Sequence, residues 1–275
     1  MRIEDYPPQE PPSELGRSYI AETLRLSEGI TGIEERYGPE VEQGVLAFPA
    51  SAPNGDVLLF MYGGGWTNGY KELMSFIAPG LNRAGVGMVS AGYRLAPAST
   101  FPAPFDDAAN ALAWIYRNHS RFGWSRSRIF AGGHSAGGHL AALLATRRDW
   151  PARLGLPRDV VRGALIISGT FDLTPGNGFA VRPRFLGPVE ETNEVAASPC
   201  FAVREAPVPL FLSWGEKDFP HLILQARKME LVQKDRGGFV ETLEIPGADH
   251  LFACYRAGEP RGPWQRAALG FMGKC

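Results

Sequence analysis

The amino-acid sequence predicts a doubly wound α/β fold, a mostly parallel β-sheet with helices on both faces. Apolar runs of strand length alternate with helical patterns along most of the chain. Several of these runs, such as residues 57–61, are apolar on both faces, as a sheet covered by helices on both sides requires. No repeat, composition shift or linker divides the 275 residues, so we expect a single domain over residues 1–275.

Each element is predicted from the period of its apolar side chains. Residues 1–12 are rich in proline and are expected to be extended, whereas residues 13–37 follow a helical pattern with Ser13 as N-cap. Strands are predicted at residues 44–48, 57–61, 87–91, 128–132, 163–168, 210–214 and 242–245. Helices are predicted between and after them at residues 74–84, 105–118, 136–147, 222–235 and 263–272.

Residues 172–205 interrupt this alternation. They contain the turn-rich stretch Thr174-Pro175-Gly176-Asn177-Gly178 and show little periodicity. Two interpretations stay open for this segment. It is either a substrate loop that follows a core strand or an ordinary surface connection.

Composition excludes several classes of function. The formal charge of −1 provides no basic field for nucleic acid. The three cysteines are too few and too scattered for a disulfide framework, and without a CxxC pair they do not suggest a zinc site. The N-terminus lacks the apolar region of a signal peptide, and no apolar run approaches the ~20 residues that span a bilayer. We therefore expect a cytoplasmic protein with no nucleic-acid or membrane partner.

The segment Gly133-His134-Ser135-Ala136-Gly137 matches G-x-S-x-G between a predicted strand and a predicted helix. Such a junction holds the serine in a strained turn, with its hydroxyl exposed at the edge of the sheet. The start of the helix adds free N–H groups that favour a developing oxyanion. The pattern predicts Ser135 as a nucleophile, and a chance match in a glycine-rich chain is the competing interpretation.

A nucleophilic serine needs N–H donors for the tetrahedral intermediate, and losing one donor costs about 10²–10³ in rate. The N–H of Ala136 can supply one donor, and a loop after an earlier strand should supply the other. The predicted strand at residues 57–61 runs into Tyr62-Gly63-Gly64-Gly65-Trp66, so Gly64 and Gly65 are the expected donors. A phosphate-binding loop is the alternative, but G-x-G-x-x-G and a P-loop lysine are both missing.

His250 is the predicted general base. In sites of this type the chain order is nucleophile, acid and then histidine, and the histidine lies on a loop after the last strand. His250 follows the strand predicted at residues 242–245 through Pro246-Gly247-Ala248-Asp249. His221 competes weakly because it opens a predicted helix. Surface or packing roles are expected for the other histidines, namely His119, His134, His139 and His221.

Asp218 is the predicted acid, because it lies in the turn Gly215-Glu216-Lys217-Asp218 after the strand at residues 210–214. The acid fixes the imidazole tautomer and stabilises the imidazolium that forms when the serine is deprotonated. Glu216 is a weaker second candidate. Asp172, which also follows a strand, is a rival, and Asp249 is interpreted as a loop residue.

Taken together, these segments resemble the hormone-sensitive-lipase-like α/β-hydrolases, and most of all their kynurenine formamidase and feruloyl-esterase-like branch. The motifs are YGGGW, YRLAP with FPAPFDD, GGHSAGGHLAA, SGTFDL, SWGEKD and PGADH, in the family's order and spacing. The likeness covers roughly residues 44–270. It implies the α/β-hydrolase fold, a triad of Ser135, Asp218 and His250, and no cofactor or metal. It is much less specific for the substrate.

The first position of YGGGW departs from the family, whose oxyanion motif usually begins with histidine. Tyr62 stands there, and it either braces the glycines or reaches the substrate with its hydroxyl. By analogy with the family, residues 1–40 are expected to form an N-terminal cap over the pocket. The aromatic residues near the motifs are candidates for the substrate pocket, with core packing as the competing interpretation: Tyr62, Trp66, Phe101, Phe171, Trp214, Phe219 and Phe252.

The expected activity is hydrolysis of a small acyl or aryl carboxylic ester through an acyl-enzyme. The alternative is an amidase, particularly an arylformamidase for substrates like N-formylkynurenine. An inactive, ligand-binding member of the fold is disfavoured by the intact triad, and a lipase is disfavoured because the sequence lacks a secretion signal and an apolar lid. The expected partner is a small-molecule ester or amide, and a homodimer stays open.

Overall fold

The computed structural model describes residues 3–275, so Met1 and Arg2 of the predicted cap segment lie outside the described residues. Within residues 3–275, eight strands form one sheet in the order β1-β2-β4-β3-β5-β6-β7-β8. The strands are β1 (Ile33–Arg36), β2 (Gly44–Phe48), β3 (Val57–Met61), β4 (Gly87–Ala91), β5 (Ile129–His134), β6 (Gly163–Ile167), β7 (Leu210–Gly215) and β8 (Val240–Ile245).

The sheet is mostly parallel, as predicted. β1 pairs antiparallel with β2, and β2 pairs antiparallel with β4. The other five pairs, which are β4 with β3, β3 with β5, β5 with β6, β6 with β7 and β7 with β8, are parallel. The carboxyl ends of these parallel strands therefore lie along one edge of the sheet, which is where ligands bind in open α/β sheets.

Eight α-helices connect and cover the strands in the described part of the chain. They are α1 (Glu14–Ser27), α2 (Ala78–Arg83), α3 (Ala103–Asn118), α4 (Ala136–Thr146), α5 (Pro199–Ala202), α6 (Pro220–Asp235), α7 (His250–Tyr255) and α8 (Pro263–Lys274). Short 3₁₀ helices lie at Ile3–Asp5, Lys71–Ile77, His119–Phe122, Ala152–Leu154, Arg184–Leu186, Val189–Glu191 and Arg256–Gly258. Within residues 3–275, no helix combines the length and the apolar character needed to cross a membrane.

Helices cover both faces of the sheet, which confirms the doubly wound prediction. Trp264 of α8 packs against Phe60 and Phe211, with ring centroids 6.3 Å apart in each pair. Phe211 is the register partner of Leu165 on β6. The next residue, Ile166, points to the opposite face, where it contacts the first turn of α4. The central strands are therefore buried from both sides.

The predicted helix at residues 13–37 is wrong beyond Ser27. Ser13 caps α1 as predicted, because its Oγ accepts a hydrogen bond from the Gly16 N–H at 3.1 Å. After α1 the chain turns through Gly29, whose φ is +73°. Residues 33–36 then pair with β2 and form the edge strand β1, which the sequence pattern did not separate from the helix.

Smaller differences have local causes. The predicted helix at residues 74–84 is a 3₁₀ helix followed by the short α2, because Pro79 has no N–H with which to continue an α-helix from the preceding turn. His250, expected on a loop, is the first residue of α7. Asp249, expected to be a plain loop residue, is the N-cap of that helix and accepts hydrogen bonds from the N–H groups of Leu251 and Phe252.

Candidate active site

Ser135 lies in the turn between β5 and α4 that the sequence predicts. Its backbone has φ of 52° and ψ of −117°, a conformation that costs energy for any residue other than glycine. The turn is possible because its flanking positions carry no side chain. A Cβ on Gly133 would lie 2.3 Å from the Gly137 carbonyl carbon, and a Cβ on Gly137 would lie 2.2 Å from the Met61 oxygen. Close packing of backbone therefore fixes the serine at the edge of the sheet.

The structure brings Ser135, His250 and Asp218 together in one hydrogen-bonded row. His250 Nε2 lies 3.1 Å from Ser135 Oγ, and His250 Nδ1 lies 2.9 Å from Asp218 Oδ1. The Asp218 side chain is fully buried, whereas the His250 ring is 11% exposed. A carboxylate accepts from Nδ1–H, which leaves Nε2 as the acceptor for the serine proton. The row therefore has the geometry of a nucleophile, a base and an orienting acid.

Asp218 is held as a carboxylate by several donors. Burial acts to raise its pKa, but the hydrogen bonds from His250, Ser168 and the Phe219 N–H outweigh burial and keep the pKa below its usual value. The Phe219 N–H donates to Oδ1 at 2.7 Å, and the Ser168 hydroxyl donates to Oδ2. Sequence reasoning missed Ser168, although it opens the motif SGTFDL directly after β6.

The rival acids lie elsewhere. Asp172 is buried and paired with Lys228, whose Nζ donates to Oδ2 at 2.5 Å, and its other oxygen accepts from Thr174. Glu216 accepts from the Gly247 N–H at 2.7 Å, in the turn before α7. Among these carboxylates, Asp218 is the one whose oxygen contacts the His250 ring.

The glycine loop, residues 63–69, lies beside Ser135 and contains the two glycines that the sequence predicts as oxyanion donors. Gly64 and Gly65 have φ of +135° and +61°. A Cβ on Gly64 would lie 1.9 Å from the Asn68 oxygen, so this position requires glycine. No acceptor within residues 3–275 takes a hydrogen bond from the N–H of Gly64, Gly65 or Ala136. These three groups are therefore free to donate to a ligand oxygen beside Ser135.

The assignment of Tyr62 to the substrate pocket is corrected. Its ring stacks on Tyr93, with centroids 4.4 Å apart, and both rings are buried. The Tyr62 hydroxyl donates to the Tyr93 oxygen at 3.3 Å, and the Tyr93 hydroxyl donates to the Tyr62 oxygen at 2.9 Å. Tyr62 therefore braces the start of the glycine loop, and it lines neither of the cavities beside Ser135.

Two cavities meet at Ser135. The first, of about 300 Å³, is bounded by the glycine loop and by the N-terminal segment from Pro11 to Tyr19. The second, of about 320 Å³, is lined by the aromatic side chains of Trp66, Phe219 and His221 and by the segment that contains Gly178 and Phe179. Parts of the expected cap segment and of residues 172–205 thus border Ser135.

Of the other predicted pocket residues, two line the cavities. Trp66 lines the second cavity, and Phe219 lines both. Phe171 is buried in the core, where its N–H donates to Gln225. Phe252 is 54% exposed and faces solvent beside Tyr255. Phe171 and Phe252 are therefore corrected to a packing residue and a surface residue, because neither side chain lines a cavity beside Ser135.

The remaining histidines have distinct environments. His139 accepts from Trp66 Nε1–H at 3.2 Å and donates to the Ala197 oxygen at 2.6 Å, and burial lowers its pKa to about 4. His119 lies in the 3₁₀ helix after α3. His221, expected at the surface or in packing, lines the second cavity between Phe179 and Phe219. Within residues 3–275, no group of three or more His, Cys, Asp or Glu side chains has an arrangement that fits a metal ion.

Comparisons with known proteins identify the family of the chain. A model described as the α/β-hydrolase fold matches residues 58–254. The esterase LipQ of Mycobacterium tuberculosis is 31% identical over 237 residues, which are 78% of this chain and 56% of that protein. The kynurenine formamidase of Salmo salar is 26% identical over 203 residues, which are 71% of this chain and 65% of that protein. The chain spans little more than half the length of LipQ and of LipC, a second esterase of Mycobacterium tuberculosis that it resembles.

Solved structures show the same architecture. A truncated carbohydrate esterase from gut microbiota superposes with a TM-score of 0.76 at 17% identity, covering 90% of this chain and 97% of that one. A hyperthermophilic esterase from Pyrobaculum calidifontis superposes with a TM-score of 0.75 at 22% identity, covering 95% of this chain and 92% of that one. At these identities the likeness shows the fold alone.

Proposed function

This chain belongs to the α/β-hydrolase fold family, and from that premise we propose that it is a serine carboxylesterase for small acyl or aryl esters. One observation carries the proposal. Ser135, His250 and Asp218 form a continuous row with contacts of 3.1 and 2.9 Å, beside three N–H groups with no partner among residues 3–275. That arrangement matches the needs of acyl transfer, namely a nucleophile, a base with an orienter, and donors for an oxyanion.

In the first step, Ser135 Oγ attacks the ester carbonyl carbon and passes its proton to His250 Nε2. Asp218 stabilises the resulting imidazolium through Nδ1–H. The carbonyl oxygen becomes an oxyanion and accepts hydrogen bonds from Gly64, Gly65 and Ala136. His250 then gives its proton to the leaving alcohol oxygen, and an acyl-enzyme remains on Ser135.

In the second step, water attacks the acyl-enzyme. His250 takes one proton from the water, and the same three N–H groups hold the second oxyanion. When the intermediate collapses, the proton passes from His250 to Ser135 Oγ, and the carboxylic acid leaves. These steps draw on side chains, backbone N–H groups and water.

The two cavities support a small ester. Ser135 borders both of them, so a carbonyl carbon on its Oγ has room for one substituent on each side. At ~30 Å³ per water-sized group, each cavity holds a group of about ten non-hydrogen atoms. A formyl group carries only hydrogen on the acyl side and would leave one cavity empty. The paired cavities therefore favour an ester with a carbon acyl group over a formamide.

The test is a side-by-side measurement of kcat/KM for 4-nitrophenyl esters of increasing acyl length and for the matching formanilides, including N-formylkynurenine. We expect short-chain esters to be hydrolysed fastest, with a fall once the acyl group exceeds about ten non-hydrogen atoms. The Ser135→Ala variant is the control for hydrolysis at this site.

Efficient cleavage of formanilides would support the alternative, an arylformamidase, as the formamidase relatives suggest. An amide demands more of His250 than an ester does, because the amine leaves only when protonated. No hydrolysis of either series would contradict the proposal.

A further inference from the structure

The hydroxyl of Tyr19, on α1, contacts both the glycine loop and the turn at residues 133–137 that carries Ser135, which we call the nucleophile turn. It accepts a hydrogen bond from the Gly63 N–H at 3.2 Å and lies 3.3 Å from His134 Nδ1. Tyr19 is 4% exposed, and its ring lies 5.3 Å from the His134 ring. The Gly63 N–H is therefore committed to Tyr19, which leaves the next two N–H groups of the loop for a ligand.

The direction of each hydrogen bond follows from the acceptors. His134 Nε2 lies 3.0 Å from the His250 carbonyl oxygen, which can only accept, so Nε2 carries the proton. Burial, and then the neighbouring His250, lower the pKa of His134 to about 3, so the ring is neutral near pH 7. Its Nδ1 is then an acceptor, and the Tyr19 hydroxyl donates to it. One hydrogen-bonded row thus joins the glycine loop, Tyr19, His134 and the backbone of His250.

The other end of the glycine loop is held by the same N-terminal segment. The Gly69 N–H donates to Gln9 Oε1 at 2.8 Å, and Gln9 Nε2 donates to the Gly69 oxygen at 3.0 Å. The Asn68 side chain donates to the Glu10 oxygen at 3.2 Å. Residues 9–19 therefore hold the loop at both of its ends, on either side of the two glycines that face Ser135.

We infer that Tyr19 is a positioning residue for the oxyanion hole, and that residues 9–19 form a clamp that sets the Gly64 and Gly65 N–H groups in place. The inference rests on the proposed esterase function. The sequence motifs behind that function lie between residues 62 and 250. The clamp precedes them in the chain and contacts the loop only after folding. Tyr19 contacts no reacting atom and acts through the loop and through His134.

Loss of the Tyr19 hydroxyl removes the acceptor of the Gly63 N–H and the donor to His134, and the loop gains freedom at its first residue. Substrate binding depends little on that freedom, because the oxyanion exists only along the reaction path. The clamp should therefore affect kcat rather than KM. It should also affect the binding of an oxyanion mimic in proportion.

The experiment compares Tyr19→Phe and Gln9→Ala with Tyr37→Phe in the full chain. Tyr37 is the matched control, because its buried hydroxyl also donates one hydrogen bond, to the Gly92 oxygen at 2.8 Å, and it lines neither cavity. The readouts are kcat and KM for the best ester, and Ki for an aryl trifluoromethyl ketone. Ser135 Oγ adds to that ketone, its proton goes to His250, and the ketone oxygen becomes an oxyanion in the hole. Active sites are counted with a 4-nitrophenyl phosphonate.

We expect Tyr19→Phe to lower kcat per active site about tenfold, part of the 10²–10³ lost with a whole oxyanion donor, and to raise Ki by the same factor. KM should stay within about twofold, because ground-state contacts are unchanged. Gln9→Ala should show the same pattern with about a threefold effect, and Tyr37→Phe should match wild type. Equal kcat for Tyr19→Phe and Tyr37→Phe, or a change confined to KM, would overturn the inference.

If Tyr19→Phe does not fold, Gln9→Ala decides by the same criteria, since Gln9 lies near the surface and its loss leaves the core intact. The reactions of the wild-type protein distinguish a failure of the proposed function from a failure of the clamp. Wild-type protein that neither hydrolyses esters nor reacts with the phosphonate contradicts the proposed function, and the clamp falls with it. Active wild type with an unaltered Tyr19→Phe contradicts the clamp alone.

Discussion

The nucleophile turn and the glycine loop both carry N–H groups that have no acceptor among residues 3–275, but the two segments are held in different ways. The turn is fixed by neighbours in sequence, because β5 runs directly into α4 and two glycines let the backbone pack closely. The loop is fixed by side chains that are distant in sequence, such as Tyr19, which lies 44 residues before Gly63. The sequence motif of the turn therefore includes the residues that hold it. The motif of the loop does not include the distant side chains that hold the loop.

The largest expected effect tests the turn itself. Ser135→Ala should lower kcat by about 10⁶, because base, acid and oxyanion donors cannot replace the nucleophile. Steady-state assays with the best ester measure this, and phosphonate labelling should disappear with the activity. A variant that keeps near-wild-type kcat/KM would place the chemistry at another residue.

The second prediction compares two buried aspartates. Asp218→Asn should lower kcat/KM by about 10⁴, because an amide can hold the imidazole in the wrong tautomer. Asp172→Asn should leave kcat/KM near wild type, since Asp172 contacts Lys228 and Thr174 and not His250. The reverse ranking would make Asp172 the acid.

Asp172→Asn should instead lower the melting temperature at neutral pH. Burial acts to raise the pKa of Asp172, but hydrogen bonds from Lys228 and Thr174 outweigh it and hold the pKa below its usual value. A lowered carboxyl pKa stabilises the folded state above the unfolded pKa of about 3.9, and the gain is lost as pH falls through the folded pKa. The difference in melting temperature between wild type and Asp172→Asn should shrink over that acid range.

The third prediction concerns two adjacent positions of the glycine loop. Gly64→Ala places a Cβ 1.9 Å from the Asn68 oxygen and must distort the loop, so we expect kcat to fall by about 10²–10³, as for a lost oxyanion donor. Gly65→Ala meets no atom closer than 3.9 Å. Its cost is the left-handed backbone, roughly 1–2 kcal/mol, and kcat should fall by less than about tenfold. Equal losses would mean that crowding by Asn68 is unimportant.

The smallest effect is expected for Tyr62→Phe, which also tests how the loop is held. It removes one buried hydrogen bond to the Tyr93 oxygen, worth about 1 kcal/mol, and keeps the stacked rings. We expect a slightly lower melting temperature and a kcat within about twofold of wild type for every ester in the series. A change that differs between substrates would show that the hydroxyl contacts them.

Much of the fold was predictable because strand and helix periods are local. The parallel sheet, the strand-to-helix turn at Ser135 and most elements follow from runs of neighbouring residues. The edge strand β1 was missed because four mostly exposed residues carry no apolar signal, and its pairing with β2 becomes visible only in the sheet. Asp249 was misread because a cap is defined by the helix that follows it.

By itself, the sequence determined the order and type of the main elements and singled out Ser135, Asp218 and His250 as candidates. Those features depend on backbone conformation and chain order, which contiguous residues encode. Only the tertiary structure decided that Tyr62 braces the loop, that Ser168 holds Asp218, that His221 faces a cavity and that Tyr19 reaches Gly63. These roles depend on which side chains meet after folding, and residues far apart in sequence supply both partners.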